Sequence, residues 1–193
     1  MSYYNQGDYI TASHYFTSYY NTYPNGTYTE LARFHSGKAL FLDTPEPRLD
    51  QSSTFSAISE LQMFMEYFPA SKRKTEAQQM IFELQDKLVM KDYLTAKLYY
   101  DLGTYTGNAS YTADMRINGN NFLACITTAQ NALKDYPYTS MREEISIPLL
   151  RAKPKLGSEC AFAKKEERMR VTIDEDYAFK NEFPESKYMK EVE

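Results

Sequence analysis

Two histidines, two cysteines and one acidic run are the side chains of this 193-residue chain that invite a chemical reading. His14 and His35 stand 21 residues apart, with no cysteine or acidic cluster at metal-ligand spacing beside them. Neither a zinc site nor a histidine base is implied. Cys125 and Cys160 form no CxxC pair and have no ligand spacing. Buried free thiols and one disulfide in an oxidising compartment both fit them. Asp174, Glu175 and Asp176 follow one another on a helical stretch. Adjacent helical residues do not face one direction, so the run reads as a solvated face and not a metal site. There is no glycine-rich phosphate cradle and no nucleophile elbow. Asn25-Gly26-Thr27 and Asn108-Ala109-Ser110 fit the glycosylation triplet, a pattern that also arises by chance. The expectation is therefore a non-enzyme with no catalytic residue, metal or cofactor, whose chemistry is binding.

Composition narrows what is bound. A net charge of -4 lacks the basic footprint that phosphate backbones require, which argues against a nucleic-acid partner. Eighteen tyrosines with no tryptophan suit a contact surface, since each offers a large ring and one hydrogen-bonding tip. The same rings serve equally well to fill the space between helices. Only 7 glycines suit helices joined by short turns. No stretch approaches the apolar length of a membrane span, and no signal peptide opens the sequence.

The elements that position these side chains follow from a recurrence. Tyr23-Pro24, Phe68-Pro69-Ala70-Ser71, Tyr136-Pro137-Tyr138-Thr139 and Phe183-Pro184-Glu185-Ser186 repeat one aromatic-proline ending. The prolines lie 45, 68 and 47 residues apart. Such spacing fits a unit of about 34 residues carrying insertions, with two units in the widest gap. In the first unit Gly7-Asp8 reads as a turn, followed by Ala12, Tyr15, Phe16, Tyr19 and Tyr20 as a helical apolar stripe. A helix pair is expected from about Tyr28 to Phe68, split by the loop Asp43-Thr44-Pro45-Glu46-Pro47, with Ser53 or Thr54 capping its second helix. Lys72 to Leu102 holds neither glycine nor proline and predicts one very long helix or two abutting ones. Its apolar positions are Ala77, Ile81, Leu84, Leu88, Leu94 and Leu98. Gly103-Thr104-Tyr105 repeats the first turn, residues 106–121 read as an inserted loop, and the next helix ends at Pro137. A helix over Met141 to Leu156 contains Pro148 and Pro154, which predicts a kink or a shortened element. Ala161 to Phe183 closes the chain, with the charged run Lys164 to Arg170 on its solvent side.

The segment YYNQGDYITASHYFTSYYNTYPNG, residues 3–26, resembles the tetratricopeptide repeat in its aromatic pair, Gly-Asp-Tyr turn, alanine, aromatic and proline. Lys87-Leu88, Tyr99-Tyr100, Gly103-Thr104-Tyr105 and Leu133-Lys134-Asp135-Tyr136-Pro137 together resemble the BamD family, outer-membrane lipoproteins of the barrel-assembly machinery. The resemblance implies an all-α superhelical solenoid of about four and a half helix pairs, as one domain over residues 1–193. Within it, 1–24 is a partial repeat and 27–69 a repeat. Residues 72–137 hold a long helix plus a repeat with the inserted loop, and 140–184 an irregular last repeat. An upstream half-repeat is expected before residue 1, together with an N-terminal lipid anchor.

The implied role is a scaffold at the periplasmic face of the outer membrane. It would bind the periplasmic domains of the barrel-assembly pore protein through its C-terminal repeats and unfolded outer-membrane protein segments through its N-terminal ones. A general periplasmic repeat adaptor and a glycan-binding lipoprotein are the alternatives. In a solenoid the inner face is lined mainly by the first helix of each pair. Tyr28, Leu31, His35, Lys38, Gln78 and Phe82 are the candidates for a peptide-binding face, with Lys38 facing a terminal carboxylate. Arg142, Arg151, Lys164, Lys165, Arg168 and Arg170 form a locally basic end suited to an acidic partner domain.

Overall fold

The computed structural model describes residues 1–104, 121–158 and 162–188, and the side chains of 157–169, 171 and 175 fall outside that description. Among the described residues there are eight helices and no strand: α1 (Ser2–Asn5), α2 (Tyr9–Thr22), α3 (Thr29–Asp43), α4 (Ser52–Tyr67), α5 (Lys74–Leu102), α6 (Asn121–Asp135), α7 (Arg142–Ser158) and α8 (Phe162–Glu182). They divide into two compact units, Met1–Leu88 and Val89–Glu193. The boundary falls within α5, which runs as a single helix.

In the first unit the chain turns from α1 to α2 at Gly7, whose φ of 82° lies in the left-handed region that a side chain would strain. The Asp8 amide donates to the Tyr3 carbonyl and the Gly7 amide to that of Tyr4, the paired bonds of a Schellman ending. Asp8 then caps α2 by accepting from the Thr11 amide at 3.2 Å. α2 meets α3 through small polar groups: Ser13 Oγ and Ser36 Oγ lie 3.0 Å apart and Thr17 Oγ1 is 3.2 Å from Ser36 Oγ. α3 meets α4 where Gly37 lies against Leu61. Beyond that crossing, Phe34, Ala57, Leu61, Phe64, Ala77, Met80, Ile81 and Leu84 form the core of the unit. One carboxylate is buried here: Glu60 accepts from the Tyr20 hydroxyl at 2.8 Å.

The expected cap of α4 at Ser53 or Thr54 is not what forms. The helix begins at Ser52, after Gln51, with no side-chain cap. Thr54 is buried and donates its hydroxyl to Gln51 Oε1 at 2.7 Å. Gln51 Nε2 in turn donates to the Glu46 and Leu49 carbonyls at 2.7 and 3.1 Å. Thr54 therefore ties the proline-rich loop to the core, and its hydroxyl is no longer available to the helix amides.

The aromatic-proline ending adopts one geometry in all four copies. Each aromatic amide donates to the carbonyl four residues back, and each aromatic carbonyl accepts from the amide three residues on. Proline at the second position of that turn supplies the φ it needs and stops the helix. In two copies the hydroxyl after proline reaches back to the preceding helix pair: Ser71 Oγ donates to Glu30 Oε1 at 2.6 Å and Ser186 Oγ to Glu143 Oε1 at 2.7 Å. The same oxygens accept from the Arg73 and Tyr188 amides, each at 3.1 Å.

In the second unit Val89, Ala96, Phe122, Cys125, Ile126, Ala129, Ala132, Ile145, Leu149 and Ala152 form the larger core cluster, with Ile147, Leu150 and Phe179 as a smaller one. α5 ends at Gly103, with φ 53°, the counterpart of Gly7. Residues 105–120, most of the expected inserted loop, lie outside the described residues, and Asn121 already opens α6. Leu98, expected on the apolar stripe of α5, is 57% exposed, because Val89 and Ala96 carry the buried face there.

α7 is not shortened by its prolines and runs unbroken through Pro148 and Pro154. An interior proline costs about 3 kcal/mol. Ile145, Ile147, Leu149 and Leu150 are all buried on this helix, and burial of each such side chain contributes about 1.5–3 kcal/mol, which outweighs that cost. The Pro148 carbonyl accepts from Cys125 Sγ at 3.5 Å.

Candidate functional site

α2 and α3 frame an open groove of about 410 Å³ in the first unit. α2 lines it with Tyr15, Phe16 and Tyr19, and α3 with Leu31, Ala32 and His35 and with Tyr28 at its N-cap, beside Met1. Positions 28, 31, 32 and 35 follow the i, i+3, i+4, i+7 rule, so one stripe of α3 forms one wall. Tyr28 is 64% exposed and Tyr15 57% at the rim, and the Tyr15 ring stacks on Tyr3 with centroids 5.3 Å apart. Gly26 sits at the entry to α3, where a Cβ would meet the Tyr19 hydroxyl at 3.1 Å.

His35 is the polar group set into this apolar wall. Its ring stacks on Phe16, with centroids 5.6 Å apart and planes inclined by 28°, and meets the Tyr4 and Phe34 rings edge-on. Its Nδ1 is buried with no hydrogen-bond partner. Burial pushes the imidazole pKa below its ordinary value, and the Lys38 and Arg73 cations push the same way against the opposing Glu76. His35 is therefore neutral at physiological pH. Burial likewise raises the Tyr4 phenol above its usual range.

Three of the six expected groove residues, Tyr28, Leu31 and His35, line this groove, and Lys38, Gln78 and Phe82 do not. Lys38 Nζ pairs with Glu76 Oε1 at 2.6 Å, a contact between α3 and α5 that engages the charge expected to face a ligand carboxylate. Gln78 is half-buried on α5 and Phe82 is 42% exposed there. Tyr15, Phe16 and Tyr19 are groove residues that the sequence pattern had placed between helices. No sequence signal separates them, since positions 12, 15, 16, 19 and 20 form the ordinary apolar stripe of a packed helix.

Arg33 marks a second feature of α3, away from the groove lining. Its guanidinium lies 4.2 Å from the centre of the Tyr20 ring and 4.0 Å from that of Tyr67. Such stacking holds the cation flat between two aromatic faces.

At the other end of the chain, Arg142 pairs with Glu182, joining α7 to α8. Arg151 is half-buried and Arg170 exposed. The side chains of Lys164, Lys165 and Arg168 lie outside the described residues. The expected basic surface is thus described at three of its six positions. Within this unit burial depresses the Lys153 pKa against the pull of Asp176, and burial raises the Asp176 carboxyl against the Lys180 and Lys153 cations.

Cys125 is a free buried thiol whose pKa burial, assisted by Asp101, pushes up to about 11. A thiol so protonated is a poor nucleophile. Cys160 lies outside the described residues. Among the described residues no cluster of histidine, cysteine and carboxylate side chains could hold a metal ion. No helix among them is long and apolar enough to cross a membrane.

The family model YfiO, described as an outer membrane lipoprotein, matches residues 1–118 of the chain. That span contains the whole groove and all of α5. No curated protein matches.

Proposed function

The chain belongs to the YfiO family of outer membrane lipoproteins, and from that premise we propose that it is a non-enzymatic scaffold of outer-membrane β-barrel assembly. Its repeats are tetratricopeptide repeats stacked as a solenoid, tethered at the periplasmic face of the outer membrane by an N-terminal lipid. The groove of the first unit takes extended segments of unfolded outer-membrane proteins. The observation that carries this reading is the groove's composition: four aromatic side chains, two of them rim tyrosines, around about 410 Å³ of open space. Barrel strands alternate apolar and polar residues with aromatic girdles. An extended segment of that kind offers an apolar side chain on every second residue and rings at its girdle positions, which the tyrosine faces can stack upon.

The second part of the proposal is a docking surface for the periplasmic domains of the barrel-assembly pore protein, built around Arg142, Arg151 and Arg170. Arg142 is already paired with Glu182, so its contribution to docking is to guide encounter more than to add affinity.

A photo-reactive amino acid at Tyr28 in cells tests the groove directly. Cross-links to unfolded outer-membrane proteins, absent when the same group replaces exposed Phe55 on α4, are the expected result. Cross-links only to soluble envelope proteins would instead identify a general adaptor.

A further inference from the structure

Arg33 and Lys38 are the two fixed cations of α3. Lys38 is engaged by Glu76 at 2.6 Å. Among the described residues the Arg33 guanidinium makes no ion pair and no hydrogen bond, and its contacts are the Tyr20 and Tyr67 rings, 4.2 and 4.0 Å from its central carbon. No ring contact joins Tyr20 to Tyr67 among the described residues, so the cation lies between them. Its nitrogens still reach solvent. His35 Nδ1 is the one buried side-chain nitrogen or oxygen among the described residues without a partner, so no nitrogen of the half-buried Arg33 is enclosed. The faces of the guanidinium are covered, and its edge, which carries all five N–H donors, is open.

The cluster is built into the interior of the first unit. Arg33 precedes His35 by two positions, about 200° around the helix, so it stands on the side of α3 away from the groove and from Met1. It lies one turn before Gly37, where α3 crosses α4. The Tyr20 wall is fixed, because its hydroxyl donates to the buried Glu60 carboxylate at 2.8 Å. The repeat itself does not require such a cluster. Counted from the aromatic of each aromatic-proline ending, Tyr20, Arg33 and Tyr67 correspond to Leu133, Ser146 and Glu182 around α7. There Ser146 Oγ donates to the Arg142 carbonyl of its own helix at 2.7 Å, and Glu182 pairs with Arg142. That helix closes against its neighbours with no cation at the position of Arg33.

We propose that Arg33, held between Tyr20 and Tyr67, is a recognition site for the carboxylate of an acidic side chain on a bound protein. A guanidinium edge and a carboxylate are both planar and meet through two parallel N–H···O bonds. Rings on the two faces hold the fork in one plane, so much of its ordering precedes binding. The charge balance selects a monoanion. One unpaired cation faces the ligand, and Glu60, bonded to the Tyr20 wall, adds a negative charge that a phosphate dianion would meet. The relief of the site selects a side chain. Tyr20 is 6% exposed and Tyr67 62%, so the donors sit below the surface on the Tyr20 side. A carboxylate on a methylene stem reaches them, whereas a chain terminus carries its backbone bulk beside the carboxylate. Whatever the groove takes, this site is independent of it.

The test follows the Arg33 Nε–H resonance by ¹H–¹⁵N NMR at fixed ionic strength. The chain is titrated with acetyl-Ala-Glu-Ala-amide and, as a neutral match, acetyl-Ala-Gln-Ala-amide. The expected result is a saturable shift with Kd on the order of 10 mM for the glutamate peptide, the scale of one charged bidentate contact. The glutamine peptide should bind at least about tenfold more weakly. Arg33→Lys keeps the charge and loses the fork, and should weaken glutamate binding about tenfold, read from the Tyr67 ring signals. A linear, unsaturated shift, or the same shift with both peptides, overturns the inference. Equal binding by Arg33→Lys overturns the bidentate fork. Inorganic phosphate binding as tightly as the glutamate peptide overturns the choice of a monoanion. Acetyl-Ala-Ala-Ala with a free terminus binding as tightly overturns the choice of a side chain. If Arg33→Lys does not fold, the wild-type titrations decide alone.

Discussion

Gly37→Ala is a substitution whose sign depends on how closely α3 and α4 cross. On an exposed helix face, alanine in place of glycine would stabilise by about 1 kcal/mol through helix propensity. Here an added Cβ would lie 2.7 Å from Leu61 Cδ2, 3.0 Å from Leu61 Cγ and 3.5 Å from the Leu61 amide nitrogen. Favourable carbon contacts lie at about 3.5–4.0 Å, so the new methyl intrudes by nearly an ångström. Leu61 has no room to yield, because it is fully buried among Phe34, Ala57 and Phe64. Overpacking of this kind costs about 1–3 kcal/mol, and setting the propensity gain against it leaves a net loss of about 1 kcal/mol. Urea unfolding followed by far-ultraviolet circular dichroism would resolve that difference, at unchanged slope. The double-mutant cycle with Leu61→Ala sharpens the test. Leu61→Ala alone should cost about 2–5 kcal/mol, and in its background Gly37→Ala should turn favourable, since the methyl then enters the space the leucine left. Stabilisation by Gly37→Ala in the wild-type background, or strict additivity of the pair, would refute the close crossing.

Other perturbations have equally definite outcomes. Because the folded His35 pKa lies below its ordinary value, the folded state binds fewer protons than the unfolded one just below about pH 6.5. Its contribution is full above that pH and is lost as pH falls through the folded pKa. Asp92 and Asp176, whose carboxyls burial raises, act with the opposite sign. The difference between wild type and His35→Gln therefore isolates the histidine: the wild type should lose more stability between pH 7 and pH 5, measured by urea midpoints. Phe64→Ala removes a fully buried ring of the first core and should cost about 3–5 kcal/mol in the same assay. Ser71→Ala and Ser186→Ala each break a clasp to a glutamate and leave the Arg73 or Tyr188 amide without that acceptor, and each should cost about 1 kcal/mol by thermal melting. Cys125, with its thiol pushed up to about 11, should resist an aromatic disulfide reagent at pH 8 until the protein is unfolded.

Local chemistry made much of this fold legible. Gly7 and Gly103 mark the left-handed turns, the four aromatic-proline endings mark helix stops, and the proline-free stretch from residue 72 marks α5. The small residues Ala12, Ala57 and Ala77 fall where helices pack, as their periodicity requires. What stayed hidden depended on residues distant in sequence. The charge of Lys38 could not be known as engaged without Glu76, 38 residues on. Thr54 is spent on Gln51 because the proline-rich loop folds back over it, and nothing in the pattern of α4 announces that. An aromatic stripe at helical spacing reads the same whether it meets another helix or an open groove, so Tyr15 and Phe16 passed as packing residues. α7 shows the converse, a helix its prolines did not shorten. Proline's local cost was visible, whereas the burial of Ile145, Leu149 and Leu150 that offsets it is a property of the assembled unit.

Calorimetric titration of this chain with the periplasmic domains of the barrel-assembly pore protein from the same organism tests the assembly role most directly. The account predicts saturable, salt-sensitive binding that weakens when Arg142, Arg151 and Arg170 are reversed in charge. Absence of binding by protein that retains its helical spectrum would contradict it.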